Sequence, residues 1–303
     1  MTQGTLIIDG NSLGHAAHNA TKLSVGTMQT QAIFGMVKSS RLLAEKYPGW
    51  SQLVLWDGSA QWRKDIYPEY KGNRKAKDEK QAAHKQAYKD QSPFVRKALQ
   101  LVGVRQMLVT SLEADDMAGI LVRRAKGDIV LVSGDQDWLQ LVRNGVTWFD
   151  PIRDHTVGIG NFTEFTGYFS PREFLEGKAL MGDTSDNIPG VGGIGEKGAP
   201  EFLAQFKSVA NFLAQCDDGS FVPKKKAHQN LASPAGRAAF DRNMRLMNLI
   251  DAPNPERDHM AVTQPAYSEA HFRTLCEKLA FMSILRNFDS FMTPFREMQS
   301  IAA

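Results

Sequence analysis

Residues 129–137 read IVLVSGDQD: four apolar residues, three of them β-branched, followed at once by Ser, Gly and a pair of aspartates. A run of this kind fits a strand buried on both faces, and the switch to small and acidic residues fits the point where it leaves its sheet. The pattern recurs, since TLII at 5–8 ends in Asp9 and QLVLW at 52–56 ends in Asp57, with further short strand-like runs at 104–107 and 146–149. Between them lie stretches with helical spacing, at 30–46, 93–101 and 114–125. Strands alternating with helices predict an α/β fold, a mainly parallel central sheet covered on both faces, whose site lies beyond the carboxyl ends of the strands. Three strands should therefore deliver Asp9, Asp57, and Asp135 with Asp137 to one edge. Glu113, Asp115 and Asp116, in SLEADDMAG, open the 114–125 helix.

Outward from this core, residues 62–89 (WRKDIYPEYKGNRKAKDEKQAAHKQAYK) belong to no strand and hold nine Lys/Arg against four Asp/Glu. They read as a long basic insertion, partly helical after Lys75. Beyond about residue 170 the alternation stops. The expected organisation is an α/β core over 1–180, a second unit with Gly-rich turns over 181–250, and a helical tail over 251–303 whose amphipathic segment 271–285 packs on the body. No internal repeat is apparent. The basic run PKKKAH at 223–228 reads as an exposed turn, with DNA contact as the alternative.

The chain has 303 residues, 42% of them hydrophobic and 17 of them Phe, enough for a sizeable core. Its two cysteines, Cys216 and Cys276, form no CxxC pair, so neither a disulfide framework nor a thiolate zinc site is expected, and a reducing, cytoplasmic setting is. Neither a secretion signal nor an apolar stretch of membrane-spanning length is evident, so no membrane partner is expected. The formal charge of +3 is too small to establish nucleic-acid binding; its segregation into a basic insertion and acidic clusters says more.

Crowded carboxylates repel one another and resist desolvation, and divalent cations remove that cost. An all-Asp/Glu donor set suits magnesium or manganese; zinc normally recruits Cys or His, and no HExxH spacing occurs. Each acid alone also fits an ordinary role: Asp9 and Asp57 as cap or turn residues, residues 113–116 as charge favoured in a first helical turn, Asp135 and Asp137 as a loop. Asp183 and Asp186, in GDTSDNIPG, lie three apart and would share a face of a helical turn. Their joint placement at strand ends and helix starts favours one metal cluster. Two ions about 4 Å apart could activate a water and stabilise the leaving oxygen of a phosphodiester. The seven histidines are scattered and read as surface or structural residues.

In the insertion, Lys71 and Arg74 stand near Tyr67 and Tyr70, cations for phosphates beside rings able to stack on unpaired bases. Residues 190–195, GVGGIG, match GxGxxG, but a dinucleotide site needs a strand immediately before it, and here DTSDNIP precedes. The better reading is a turn between helices whose amides, at Gly190, Gly192, Gly193 and Gly195, meet a phosphate oxygen with help from Lys197.

The motifs IIDGNS (7–12), DG (57–58), YKGNR (70–74), EADD (113–116), SGDQDWLQL (133–141) and GDTSDNIPGVGGIGEK (182–197) resemble, in order, those of the structure-specific 5′ nucleases: flap endonucleases, phage 5′-3′ exonucleases and the 5′ nuclease domain of bacterial DNA polymerase I. The resemblance implies a PIN-like core with a helical arch at 62–89 and a helix-three-turn-helix DNA-binding domain. It implies two Mg2+ or Mn2+ ions, the first served by Asp9, Asp57, Glu113 and Asp115, the second by Asp135, Asp137 and Asp183, partly through water. Asp116 and Asp186 match further acids of the family. Lys71 would contact the scissile phosphate, assisted by Arg74, with Tyr70 beside them. The Gly190 to Lys197 turn would grip duplex and hold a potassium ion. The chain departs from the family at Lys197-Gly198-Ala199-Pro200, where a hydroxyl residue is common, and Pro200 is tolerable only near a helix start.

The expected function is metal-dependent hydrolysis of DNA at or near 5′ ends by a monomer resembling a free-standing nuclease, acting on ends, flaps or single-strand/duplex junctions. An RNA-processing nuclease of the PIN type and a noncatalytic DNA-structure-binding protein are the alternatives. Retention of so many acids beside a phosphate path argues against the second.

Overall fold

The computed structural model describes residues 4–74 and 78–302. Lys75 to Lys77, part of the insertion expected to turn helical, lie outside the described residues. The first part of the chain runs β1 (Gly4–Asp9), α1 (Gly10–Ala20), a small hairpin of β2 (Ser24–Val25) and β3 (Met28–Gln29), α2 (Gln31–Lys46) and β4 (Ser51–Trp56). It continues through α3 (Gln61–Ile66), α4 (Glu79–Leu101), β5 (Arg105–Val109), α5 (Ala114–Arg124), β6 (Asp128–Val132), β7 (Val146–Asp150) and β8 (His155–Val157). A mostly helical stretch follows: α6 (Phe162–Thr166), α7 (Pro171–Met181), α8 (Gly198–Phe206), α9 (Val209–Asp217), α10 (Lys226–Ala232) and α11 (Pro234–Met247). The chain closes with β9 (Met260–Thr263), α12 (Glu269–Lys278), α13 (Met282–Arg286) and α14 (Phe288–Ala302).

Seven strands form one sheet in the order β8-β7-β6-β1-β4-β5-β9. The five inner strands are parallel, and β8 and β9 pair antiparallel at the two edges. The period-2 alternation of a strand sends Ile7, Leu55 and Leu131 to one face and Leu6, Ile8, Val54, Trp56, Val130 and Val132 to the other. The first face is covered by α5 and the helices of the α7–α11 stretch; the second by α1, α2, α4 and the C-terminal helices. Both being apolar explains why β6 reads as an unbroken apolar run. The expected α/β fold with a mostly parallel sheet is present.

Three local expectations change. The helix expected at 93–101 begins at Glu79 and runs straight through Pro93. Asp78 caps it by accepting from the Gln81 amide at 2.7 Å, and Tyr88 and Gln91 anchor its first half, Gln91 accepting from the Ala32 amide at 2.8 Å. Such anchoring outweighs the hydrogen bond that a proline removes. The segment 271–285 is not one helix, because the chain takes a left-handed turn at Ala280 (φ 51°) between α12 and α13. Finally, the tail expected to be helical supplies β9, which seals the β5 edge. Its residues are exposed on both faces, so MAVT shows no buried apolar pattern to mark it as a strand.

Among the described residues no helix is long and apolar enough to cross a membrane. Leu131 lies fully buried in the inner strand β6. We expect Leu131→Ala to destabilise the fold by about 2–5 kcal/mol, read as a lower denaturant midpoint with unchanged slope.

Candidate active site

The strand ends deliver carboxylates as the sheet rule requires. Asp9 closes β1 and caps α1, accepting from the Ser12 amide at 2.9 Å and the Ser133 hydroxyl at 2.8 Å. Asp57 follows β4 and accepts from the amide of Ala114, the first residue of α5, at 2.9 Å, and from the Asn11 side chain. Asp115, in the first turn of α5, accepts from the Trp138 indole N–H at 2.7 Å. Asp135 follows β6 and accepts from the Asp137 amide at 2.8 Å. Asp183 follows α7 and accepts from the Ser185 and Asp186 amides at 2.7 and 3.3 Å.

The nine acids singled out in the sequence fall into two electrostatically different groups. In the first, Glu113, Asp116 and Asp186 meet three cations from the basic insertion. Arg63, 2% exposed, grips Asp116 at 2.6 and 2.9 Å and Glu113 at 3.0 Å, and donates to the Leu246 carbonyl at 2.8 Å. Lys71 pairs with Glu113, and Arg74 with Asp186. Burial works against the Glu113 charge, but Lys71 and Arg63 more than offset it and hold its carboxyl below the usual range. Lys71 is held charged the same way, burial being outweighed by Glu113 and Asp186. Its backbone sits in the left-handed region (φ 56°), fixed there by its amide donating to the Asp186 carbonyl at 2.9 Å.

In the second group, Asp9, Asp57, Asp115, Asp135, Asp137 and Asp183, one cation engages the acids among the described residues. Lys178 of α7 lies 2.8 Å from Asp137 and 4.0 Å from Asp183. Burial, then the Asp57 charge, pushes Asp9 up to about 6. Burial with Asp135, Asp9 and Asp57 nearby raises Asp115 well above the carboxylate range. Burial and Asp137 push Asp135 up to about 7, although the exposed side of Asp135 is screened by water, so its repulsion weighs less on the fold than that at Asp9. Asp183, where the Ser185 hydrogen bond and Lys178 outweigh burial, goes down instead.

Two sequence expectations change here. Asp116 is fully buried against Arg63 and also accepts from the Glu113 amide at 3.1 Å, so its carboxylate braces the start of α5 rather than facing an ion. Tyr70 is 4% exposed and its hydroxyl donates to Glu113 or Asp186 at 2.9 and 3.0 Å, so no base can stack on its ring as it stands. Sequence reading missed Arg63, Trp138 and Lys178. Trp138 adjoins the SGDQD motif, but Lys178 is one lysine in an ordinary amphipathic helix and carried no signal.

The glycine turn follows the 182–189 loop after helix α7, not a strand, which removes the basis for a dinucleotide site. Gly182 (φ 76°) could carry no side chain, since a Cβ would lie 2.4 Å from the Gly190 amide and the Ile188 carbonyl. That closure aims Asp183 at the acid group. Gly192 and Gly193 also have positive φ (67° and 91°), and Gly190, Gly195 and Lys197 complete the stretch leading into α8. Pro200 is the third residue of α8, where its missing N–H has no helical acceptor to lose.

Among the described residues no three Asp, Glu, His or Cys side chains stand close enough to hold a metal ion as placed. The chemistry of the second group nevertheless fits hard divalent cations: all donors are carboxylate oxygens, and Asp9, Asp115 and Asp135 are raised by burial and by neighbouring acids. An acid whose folded pKa is raised stabilises the fold below its unfolded pKa, and this is lost as pH rises through the folded value. We therefore expect Asp9→Asn to gain on wild type in EDTA between pH about 4 and about 6, by up to about 3 kcal/mol, read by denaturant unfolding at pH 4 and 8. An equal difference at both pH values would rule out the crowding.

Similarity to known proteins follows this architecture. DNA polymerase I of Lactococcus lactis subsp. lactis is 29% identical over 263 residues, covering 80% of this chain and 28% of the polymerase. That of Bacillus caldotenax is 31% identical over 306 residues, covering 96% of this chain and 33% of the polymerase. The chain thus spans about a third or less of the length of these relatives. The crystal structure of the bacteriophage T5 D15 flap endonuclease, in a pseudo-enzyme-product complex with DNA and metal ions, superimposes with a TM-score of 0.70 at 24% identity, covering 97% of this chain and 98% of that one. The family model for the 5′-3′ exonuclease N-terminal resolvase-like domain matches residues 4–168, and that for the 5′-3′ exonuclease C-terminal SAM fold matches 169–265. The first match ends before α7, and α7 packs against α8 and α11. With the two models laid end to end across the sheet, the acids and the glycine turn, the chain belongs to the 5′-3′ exonuclease family.

Proposed function

We propose that this chain hydrolyses DNA phosphodiester bonds at or near 5′ ends, as a 5′-3′ exonuclease that also cuts 5′ flaps, with two Mg2+ or Mn2+ ions. The observation that carries this is the charge imbalance of the second acid group, six carboxylates facing one lysine among the described residues, with the insertion cations held on Glu113 and Asp186, neighbours in sequence of Asp115 and Asp183. Bound hard cations would supply Lewis acidity toward the phosphodiester and its attacking water. Asp9, Asp57 and Asp115 would hold the first, with Glu113 reaching it through water, and Asp135, Asp137 and Asp183 the second.

The protein's own residues do the positioning. Lys71 and Arg74 are held by Glu113 and Asp186 and would exchange these carboxylates for the scissile phosphate. Because Lys71 keeps its charge and its backbone is pinned, the ammonium can turn to a phosphate without refolding the base of the insertion. Residues 62–89 would serve as the arch bounding a 5′ single strand. The glycine turn, with Lys197, would hold duplex backbone as a helix-three-turn-helix and take a potassium ion on its carbonyls. Six acids retained beside a phosphate path favour catalysis over binding alone, since uncompensated negative charge weakens a pure binder.

We expect cleavage of 5′-labelled duplex and 5′-flap DNA with magnesium and none in EDTA; equal cleavage in both would overturn the metal reading. Asp135→Ala and Asp183→Ala should abolish turnover while flap binding, read by fluorescence anisotropy, persists. For Lys71→Ala we expect the single-turnover rate to fall about 100-fold or more with Kd changed less than about tenfold. A larger loss in Kd than in rate would make Lys71 a binding residue only.

A further inference from the structure

The two ends of the six-acid group are satisfied differently. Among the described residues, Asp9, Asp57 and Asp115 receive only neutral donors: Ser12, Ser133, Asn11, the Ala114 amide and the Trp138 indole. At the other end Lys178 bonds Asp137 at 2.8 Å and stands 4.0 Å from Asp183, with the Asp135 charge also nearby. The Lys178 side chain is only 24% exposed, so its field on these acids is weakly screened by water. It is also built in. Lys178 lies in the last turn of α7, where the helix dipole favours a cation, and its carbonyl accepts from the Gly182 amide at 2.8 Å to close the helix just before Asp183. Lys178 and Asp183 thus share the corner that closes α7, and Asp137 reaches the lysine from the turn after β6.

We propose that Lys178 is a resident counterion that competes with a divalent cation for the Asp137/Asp183 end, making it the weaker and later-filled of two cation positions. This rests on the two-cation reading above. A dication arriving at Asp9, Asp57 and Asp115 displaces no charge, whereas one arriving at Asp137 and Asp183 must push the ammonium aside or bind beside it, against like-charge repulsion. The lysine holds that end together until the second cation comes, and sets the concentration at which it does.

The test is a Mn2+ titration of the full chain by calorimetry, with no DNA and no turnover. Wild type should show a tighter and a weaker event. In Lys178→Met the weaker event should tighten at least about tenfold while the tighter one shifts less than about threefold. Lys178→Arg, keeping the charge, should restore the wild-type isotherm. A weaker event that is unchanged or weakened in Lys178→Met overturns the proposal while leaving two-cation binding intact. Absence of Mn2+ binding in both wild type and Lys178→Met overturns the two-cation reading itself, and the proposal with it. Should Lys178→Met fail to fold by circular dichroism, Lys178→Gln carries the same expectation and the same overturning result.

Discussion

Among the described residues, six carboxylates braced by neutral donors and a single ammonium form an arrangement that the fold must oppose. A parallel sheet can oppose it, because successive strand ends emerge side by side and each points its terminal residue at the same edge. The opposition is visible locally. Ser12 and Ser133 brace Asp9, the first amide of α5 braces Asp57, and Trp138 braces Asp115. None of these donors carries charge, so they orient the acids without neutralising them. The buried interior supplies the remaining force: β1 and β6, which lead to Asp9 and Asp135, are also among the most deeply buried strands.

The three insertion cations solve a different problem. Arg63 is locked between Asp116, Glu113 and the Leu246 carbonyl, with its guanidinium over the rings of Trp62 at 4.4 Å and Tyr70 at 5.6 Å. It ties α3 to α5 and to the end of α11, and so fixes the place from which Lys71 and Arg74 reach out. A mobile anchor there would let two long cationic side chains wander; a buried one confines them to a small volume beside the acids.

Much of this could be read in the sequence, for identifiable reasons. Apolar runs that stop at aspartate mark both the strands and the acids, because burial on two faces and a polar edge leave a compositional trace in adjacent residues. The start of α5 was equally plain in EADD. What escaped is whatever depends on partners far apart in the chain. Arg63 looked like one more basic residue until Asp116 came to face it across 53 positions, and Lys178 until Asp137 did. Tyr70, just ahead of two phosphate-seeking cations in sequence, turned inward because Glu113 and Asp186 offered its hydroxyl acceptors. β9 escaped because an exposed edge strand keeps no apolar period.

That edge strand gives the chain an interleaved layout. The helices from α7 to α11 leave the sheet after β8 at one margin and return to it as β9 at the opposite margin, beside β5. They are therefore a double-tethered excursion rather than a bead on a thread. Its two attachments are hydrogen-bonded at opposite margins of one sheet, β8 to β7 and β9 to β5. Loosening the helices costs little closure entropy while both anchors hold, but releasing the second anchor strips β5 of its neighbour and bares a row of backbone amides and carbonyls to pairing with other chains.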